Sequence, residues 1–150
     1  MKYIFTLLIL ALVIGACKKK DVEKQAEKDE EIIQQYISDH GLNATATGSG
    51  LYVVVNNPGT GLACTSNSNV RVAYKGYFTS GSVFDESSPS GIEFNLQGVI
   101  KGWTEGIPYF KEGGNGVLLV PSALGYGPEG NSSIPGNTVL VFDVELIDVL

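Results

Sequence analysis

The sequence predicts an α+β domain in which many antiparallel strands pack against one short helix. β-Branched and aromatic stretches, separated by turns rich in glycine and proline, follow one another from Gly50 to the C-terminus. A single helix-like segment, residues 101–109, lies among them. The chain has 150 residues, of which 43% are hydrophobic and 17% charged, and this length is enough to bury one core.

The first element is an apolar segment at the N-terminus. The basic Lys2 precedes an apolar run over residues 4–14, which is too short to cross a bilayer as a permanent helix. The run ends in Ile-Gly-Ala-Cys at residues 14–17, which resembles the lipobox of bacterial lipoproteins. The resemblance implies that residues 1–16 are a signal peptide and that Cys17 carries lipid. Such a chain is anchored to a bacterial membrane in the cell envelope, facing the periplasm or the surface. An ordinary secretory signal that contains a cysteine is the alternative.

The cysteine content bears on this choice. The chain has two cysteines, Cys17 and Cys64, and exported proteins usually pair their thiols. If Cys17 carries lipid, Cys64 has no partner in the chain and should be a buried thiol that behaves as a small apolar residue. A Cys17–Cys64 disulfide is the alternative, and it would require an N-terminus without lipid.

A charged tether is expected after the anchor. Residues 18–31 contain five lysines and six acidic residues. The three lysines at 18–20 are expected either to contact anionic lipid headgroups or to form a solvated spacer, and the sequence favours neither interpretation. Small polar residues at 43–50 predict a linker. Residues 17–49 are therefore interpreted as a lipidated tether, an amphipathic helix and a linker, which precede a domain at residues 50–150.

The amphipathic helix is predicted from residue 22 to residue 39. Four apolar side chains recur at helical spacing and share one face: Ile32, Ile33, Tyr36 and Ile37. We expect the later half of the helix to dock on the domain through this face, and Gly41 to end it. His40 is expected to be a solvated residue at the helix end.

Five strands are predicted in the domain, at residues 51–55, 70–75, 83–84, 117–120 and 140–146. Ser80-Gly81 forms a turn between the second and third of them, which is typical of a hairpin. Side chains alternate between the two faces of the last strand. One face carries Leu140, Phe142, Val144 and Leu146, and the other carries Val141, Asp143 and Glu145. The helix begins at Lys101, and Gly106 and Pro108 limit it to one or two turns.

The sequence lacks the residues on which several common catalytic sites depend. His40 is the only histidine, which excludes Ser-His-Asp and Cys-His catalysis and a histidine cluster for zinc. No GxxxxGK[ST] loop is present, and no GxGxxG follows a strand. The net charge of −6 argues against nucleic acid as the main partner. An enzyme with this sequence is expected to work without a cofactor and without a nucleophile, a metal or a general base of the usual kind.

Six segments of the domain, in their order and spacing, resemble one family. They are Val72-Ala-Tyr-Lys-Gly76, Phe84-Asp-Glu-Ser-Ser88, Val99-Ile-Lys-Gly-Trp-Thr-Glu-Gly106, Ala123-Leu-Gly-Tyr-Gly127, Ile134-Pro135 and Leu140-Val-Phe-Asp-Val-Glu-Leu146. Together they resemble the FKBP-type peptidyl-prolyl cis-trans isomerases over residues 50–150. The resemblance implies a twisted antiparallel sheet wrapped around one short helix.

The resemblance also implies a substrate pocket. The residues it places in catalytic roles are Tyr74, Asp85, Ile100 and Tyr126. The residues it places in the substrate-binding wall and floor are Phe84, Ile92, Phe94, Val99, Trp103, Ile134 and Phe142. Core packing is the alternative for any one of these aromatic side chains taken alone.

Individual roles follow from the same resemblance. Trp103 would form the floor, the backbone N–H of Ile100 would hold the substrate carbonyl, and the Tyr126 hydroxyl would add a second hydrogen bond. Asp85 would act electrostatically on the twisting amide and on the Tyr74 hydroxyl. The alternative for Asp85 is a turn residue that caps the loop at residues 87–88.

The sequence departs from the family pattern at three places. Residues 76–100 contain no lysine or arginine, although family members often carry an arginine shortly after the aspartate. Ile92 stands where an aromatic residue is common, and Gly136 replaces the second proline of the usual Ile-Pro-Pro. We expect activity with an altered substrate preference.

The function implied is a membrane-tethered prolyl isomerase that assists the folding of exported proteins. Its partners would be proline-containing polypeptides as substrates, the membrane through lipidated Cys17, and macrolide-type inhibitors in the same pocket. The first alternative is an FKBP-like peptide-binding chaperone lipoprotein with little turnover. The second is an inert structural lipoprotein, which predicts loss of the pocket aromatics, and these are present.

Overall fold

The computed structural model describes the backbone of residues 2–150 and the side chains of residues 19–150. It contains two α-helices, α1 (Lys2–His40) and α2 (Lys101–Gly106), and 3-10 turns at Ile107–Tyr109 and Ser122–Leu124. The strands are β1 (Thr45–Ala46), β2 (Tyr52–Asn57), β3 (Asn69–Phe78), β4 (Val83–Glu86), β5 (Ile92–Asn95), β6 (Gly114–Val120) and β7 (Leu140–Val149).

All seven strands belong to one antiparallel sheet. Its order is β1-β2-β6-β7-β3-β4, and β5 pairs with β3 on the edge that β4 also uses. The longest pairing joins β3 to β7, from Val70 opposite Val149 to Phe78 opposite Leu140. The sheet with its two helices confirms the predicted α+β class.

The main core lies between α2 and one face of the sheet. Gly102 and Gly106 let the helix approach β6 closely, because a Cβ atom at these positions would lie 2.6 Å from a Val120 methyl carbon and 2.7 Å from a Leu118 methyl carbon. Such distances leave no room for a side chain. The fully buried residues of this core are Leu51, Val70, Val72, Leu96, Ile107, Leu118, Val120, Leu140 and Leu146.

Helix α1 covers part of the opposite face. Ile33 is 0% exposed and packs with Leu119, Val139 and Val141 in a second apolar cluster. Docking through the predicted face is therefore confirmed for Ile33, with Tyr36 and Ile37 at its margin. The prediction is wrong for Ile32, which is 42% exposed. The two neighbouring residues differ because each step along a helix turns the side chain by about 100°.

Polar contacts also hold α1 against the sheet. The Tyr52 hydroxyl on β2 donates to Glu30 Oε1 at 2.5 Å and accepts from Gln34 Nε2 at 2.8 Å. The end of α1 at His40 and the turn at residue 41 agree with the predicted C-terminus. The helix was predicted to start at residue 22, whereas α1 starts at Lys2. The prediction relied on periodic apolar residues, which occur only in the last third of α1, and helix propensity extends the helix further upstream.

Several strand boundaries differ from the prediction. The predicted linker contains the two-residue strand β1, which pairs with Tyr52 and Val53. Strand β5 was not predicted, because it has only four residues, Ile-Glu-Phe-Asn, and pairs only with β3. The helix at 101–109 is an α-helical turn continued by a 3-10 turn, as the proline at residue 108 leads one to expect.

The Cys64 thiol is buried and free, and burial raises its pKa. This agrees with the prediction of a lone apolar thiol. Cys17 and the signal segment 1–16 lie outside the residues whose side chains are described, so lipidation stays a prediction. Among the described residues, no helix combines the length and apolarity that a membrane crossing needs, and no cluster of potential metal ligands occurs.

Truncation of Ile33 tests how α1 docks. We expect Ile33→Ala to lower the free energy of unfolding by roughly 2–4 kcal/mol, because it opens a cavity in the second cluster. The measurement is urea unfolding followed by the fluorescence of Trp103, the single tryptophan. Ile32→Ala is the matched control, with an expected change within about 0.5 kcal/mol. Equal losses in the two variants would contradict docking through the Ile33 face.

Candidate active site

A cavity of about 440 Å³ opens between α2, the β3–β4 hairpin and the loop after β6. We call it the aromatic cavity. Its lining residues are Tyr74, Phe84, Asp85, Phe94, Gly98, Val99, Ile100, Trp103, Tyr126 and Phe142. Six of the ten lining residues are aromatic: three phenylalanines, two tyrosines and the tryptophan of α2.

Trp103 on the first turns of α2 forms the floor of the aromatic cavity. It is 4% exposed, and three rings meet it edge-to-face. The ring centroids of Tyr74, Phe94 and Phe142 lie 5.0, 5.4 and 5.5 Å from that of Trp103. Such pairs add stability beyond the area they bury, so the floor is held from three sides. The indole N–H is buried and meets no acceptor among the described residues.

Gly76 makes room for one wall of the aromatic cavity. The sheet register places it between Asp85 on β4 and Phe142 on β7. The Phe84 and Phe142 rings cross above it at 85°, with centroids 5.6 Å apart. A Cβ atom at Gly76 would lie 2.7 Å from the Phe84 ring and 2.8 Å from the Phe142 ring. Only glycine therefore allows these two rings to meet.

Polar groups occupy the side of the cavity formed by the β3–β4 hairpin. The Tyr74 hydroxyl donates to Asp85 Oδ2 at 2.6 Å. Burial, and then this hydrogen bond and the charge of Asp85, raise the pKa of Tyr74. Burial, and then the charge of Asp85, also raise the pKa of Tyr126. Both phenols therefore remain neutral hydroxyls in ordinary conditions and can donate hydrogen bonds.

The hydrogen bonds around Asp85 favour its interaction with Tyr74 over the alternative of loop capping. The following loop is held by serines, since Ser87 Oγ accepts from the Tyr74 backbone N–H at 2.9 Å and donates to the Ser88 carbonyl at 2.9 Å. Asp85 takes part in none of these bonds. The carboxylate also has no basic partner among the described residues, as the absence of lysine and arginine from residues 76–100 implies.

Besides the Trp103 indole N–H, two donors in the aromatic cavity are unused by the protein. The Tyr126 hydroxyl and the backbone N–H of Ile100 meet no acceptor among the described residues. Ile100 immediately precedes α2, and its carbonyl accepts from the Trp103 backbone N–H at 2.9 Å. Both donors are therefore available to a carbonyl group that enters the cavity.

Nine of the eleven predicted site residues line the aromatic cavity. The two others do not. Ile92 begins β5 and is 44% exposed, whereas Ile134 is buried in the main core. Gly98 also lines the cavity, and the sequence analysis did not predict it. Its N–H donates to the Asn95 carbonyl in the turn that precedes residues 99–100, which line the cavity as well. The catalytic and binding roles of these residues remain predictions.

A model of the family described as FKBP-type peptidyl-prolyl cis-trans isomerase matches residues 62–147 of the chain. The chain belongs to this family. The resemblance seen in the sequence is thus confirmed at the level of the family, and the matched range contains every residue that lines the aromatic cavity.

Curated FKBP relatives match most of the chain. A probable FKBP-type peptidyl-prolyl cis-trans isomerase of Haemophilus influenzae is 38% identical over 94% of the chain and 60% of the relative. The FKBP-type peptidyl-prolyl cis-trans isomerase FkpA of Escherichia coli K12 is 41% identical over 87% of the chain and 48% of the relative. The chain therefore spans only about half to three fifths of the length of these two proteins.

Solved FKBP structures share the fold. The crystal structure of a peptidyl-prolyl cis-trans isomerase of Pseudomonas syringae superposes with a TM-score of 0.74 at 31% identity, over 85% of the chain and 94% of that structure. The crystal structure of Escherichia coli FkpA gives a TM-score of 0.73 at 36% identity, over 96% of the chain and 70% of that structure. The FKBP-like sheet and short helix are thereby confirmed.

The raised pKa of Tyr74 makes the stability of this FKBP domain depend on alkaline pH. In the unfolded chain the phenol ionises near its ordinary pKa of 10.0, whereas in the folded protein it stays neutral to higher pH. The stability that this difference contributes is fully present below the ordinary pKa and is lost as the pH rises above it.

We therefore expect Tyr74→Phe to lose stability less steeply than the parent between about pH 9.5 and pH 11. The difference in slope should stay below about 1.4 kcal/mol per pH unit, because a single phenol changes the number of bound protons by at most one. Urea unfolding at a series of pH values measures both slopes. Parallel curves for the two proteins would contradict a raised pKa.

Proposed function

We propose that this protein is a peptidyl-prolyl cis-trans isomerase that acts on Xaa-Pro bonds through its aromatic cavity. The observation that carries the proposal is the combination of an aromatic floor and walls with the unused hydrogen-bond donors of Ile100 and Tyr126. Membership in the FKBP-type isomerase family supports the same reaction.

The reaction suits an apolar site without a nucleophile. Rotation about a peptide bond faces a barrier of about 18–20 kcal/mol, because resonance gives the C–N bond double-bond character. At the twisted transition state that resonance is lost and the carbonyl becomes less polar. An apolar cavity that excludes water therefore favours the twisted amide over the planar one. Each gain of about 1.4 kcal/mol in this preference accelerates rotation tenfold.

The lining residues have complementary tasks in this proposal. The proline ring packs on Trp103, between the rings of Phe94 and Phe142. The backbone N–H of Ile100 donates to the carbonyl of the residue before proline. The neutral Tyr126 hydroxyl donates a second hydrogen bond at the rim. No bond is made or broken, so neither a metal nor a cofactor takes part.

The substrates proposed are proline-containing segments of exported polypeptides. Such segments isomerise in tens to hundreds of seconds without a catalyst, which is slow enough to limit folding. An apolar cavity of this volume also fits drug-sized ligands. Macrolide-type inhibitors are therefore proposed to occupy the same site and to compete with substrate.

The isomerase proposal predicts measurable catalysis by the full-length protein purified in a mild detergent. We expect it to accelerate the cis-to-trans relaxation of a short Xaa-Pro peptide. Tyr126→Phe should lower kcat/KM about three- to tenfold, the effect of one hydrogen bond, and Phe142→Leu should lower it roughly tenfold. Tyr109→Phe, an exposed ring outside the cavity, is the control and should match the parent.

A folded parent protein that binds the peptide without accelerating its relaxation would contradict the isomerase proposal. That result would instead support the peptide-binding chaperone with little turnover. Circular dichroism of each variant establishes that a loss of activity reflects the cavity and not unfolding.

We further propose that the protein is anchored to a bacterial cell-envelope membrane through lipid on Cys17. The observation that supports the anchor is the Ile-Gly-Ala-Cys motif at residues 14–17. The lysine-rich segment that follows at residues 18–20 would lie at the membrane surface, where it can meet anionic headgroups.

Replacing Cys17 tests the anchor. After expression in a bacterium that lipidates such motifs, the parent should fractionate with membranes and label with radioactive palmitate. Cys17→Ser should lose the label and leave the membrane fraction, because the acyl chains supply the binding energy. Cys64→Ser is the matched control and should behave as the parent. Retention of the label in Cys17→Ser would contradict the assignment.

A further inference from the structure

A buried carboxylate connects α1 to the catalytic domain. Asp29 is 1% exposed, although it lies on a helix that is otherwise rich in exposed charged residues. Its Oδ2 accepts hydrogen bonds from the Ser122 backbone N–H at 2.8 Å and from Ser122 Oγ at 2.6 Å. Its Oδ1 accepts from Gln25 Nε2 at 2.8 Å.

The burial of Asp29 calls for a physical explanation. Removing a carboxylate from water is costly unless hydrogen bonds replace its hydration. No basic side chain forms a salt bridge with Asp29 among the described residues, so its three donors provide this compensation. Two of the three belong to Ser122, and the carboxylate therefore holds this one residue in place.

Ser122 in turn holds the residues on both sides of Tyr126. Its carbonyl oxygen accepts from the Gly125 backbone N–H at 3.1 Å and from the Gly127 backbone N–H at 2.8 Å. Tyr126 lies between these two glycines and lines the aromatic cavity. A continuous series of hydrogen bonds thus runs from Asp29 through Ser122 to the backbone that carries the Tyr126 hydroxyl.

The loop needs such an anchor. Glycines flank Tyr126 on both sides, and Gly127 adopts a left-handed φ of 64°. Glycine has the greatest conformational freedom of any residue, so the loop could otherwise place the tyrosine in many orientations. A displacement of about 1 Å in a positioning group is enough to lower catalysis strongly.

From this series of contacts we infer that Asp29 is a positioning residue for the reaction, acting through Ser122 on Tyr126. Helix α1 is then part of the catalytic unit and more than a spacer between the membrane anchor and the domain. The inference rests on the proposed isomerase function, since Tyr126 is given its role there.

The first test is a double-mutant cycle on the full-length protein in detergent. We expect Asp29→Ala to lower kcat/KM about three- to tenfold. In the Tyr126→Phe background the same substitution should cause less than a twofold further loss, because the hydroxyl that it positions is gone. Independent, multiplicative losses would overturn the inference.

The matched control is Tyr52→Phe, which removes the hydroxyl that Glu30 and Gln34 contact at the same helix interface. This substitution weakens the docking of α1 without touching the loop of Tyr126. We expect kcat/KM to remain within about twofold of the parent. A loss equal to that of Asp29→Ala would show that general docking of the helix is the cause. Asp29→Asn, which keeps one acceptor oxygen for Ser122, should recover part of the activity.

Hydrogen exchange provides a second measurement that does not depend on activity. In Asp29→Ala the amides of Gly125 and Gly127 should exchange about tenfold faster than in the parent, whereas the amides of β7 should be unchanged. In Tyr52→Phe both sets should match the parent. Unchanged exchange at the two glycines would overturn the inference even if the parent lacked isomerase activity, and absence of activity alone would overturn only the proposed function.

Discussion

The close approach of α2 to β6 is the constraint on which the site depends. Gly102 and Gly106 let the helix lie directly on Val120 and Leu118, and this depth brings the Trp103 ring into the middle of the domain. Rings from β3, β5 and β7 can then meet the indole edge-to-face. A helix held further from the sheet would leave a gap that water fills, and the apolar environment that favours a twisted amide would be lost.

The chemistry proposed for the site uses neutral groups. Tyr74 and Tyr126 both have raised pKa values because they are partly buried beside Asp85. Hydroxyls that stay protonated can donate hydrogen bonds, Tyr74 to Asp85 and Tyr126 to a carbonyl, whereas phenolates could only accept. The carboxylate of Asp85 is occupied by Tyr74 and has no cationic partner among the described residues. The rim therefore offers donors without requiring proton transfer, which fits a reaction in which no covalent bond changes.

Different helices cover the two faces of the sheet, and both helices contribute to the structure of the aromatic cavity. Helix α2 provides the floor directly. Helix α1, on the other face, packs through Ile33 and reaches the end of β6 through Asp29 and Ser122. This second contact lies at the start of the loop that carries Tyr126. A helix that joins a proposed membrane anchor to the domain is thus connected to the rim of the cavity by hydrogen bonds, without taking part in its lining.

Sequence alone determined the fold class and the family, and nine of the eleven residues predicted for the site line the aromatic cavity. Strand alternation and ordered short motifs are local patterns, so they can be read without knowledge of distant contacts. Tertiary structure decided what depends on contacts distant in the chain. Ile92 was expected in the wall but pairs with Val72 at an exposed edge, and Ile32 points away from the sheet that buries Ile33. Asp29 is one of six acidic residues in the charged segment 18–31, and its burial depends on Ser122, 93 residues further along the chain. Periodicity reports which side chains share a face, whereas pairing and docking decide which of them are covered.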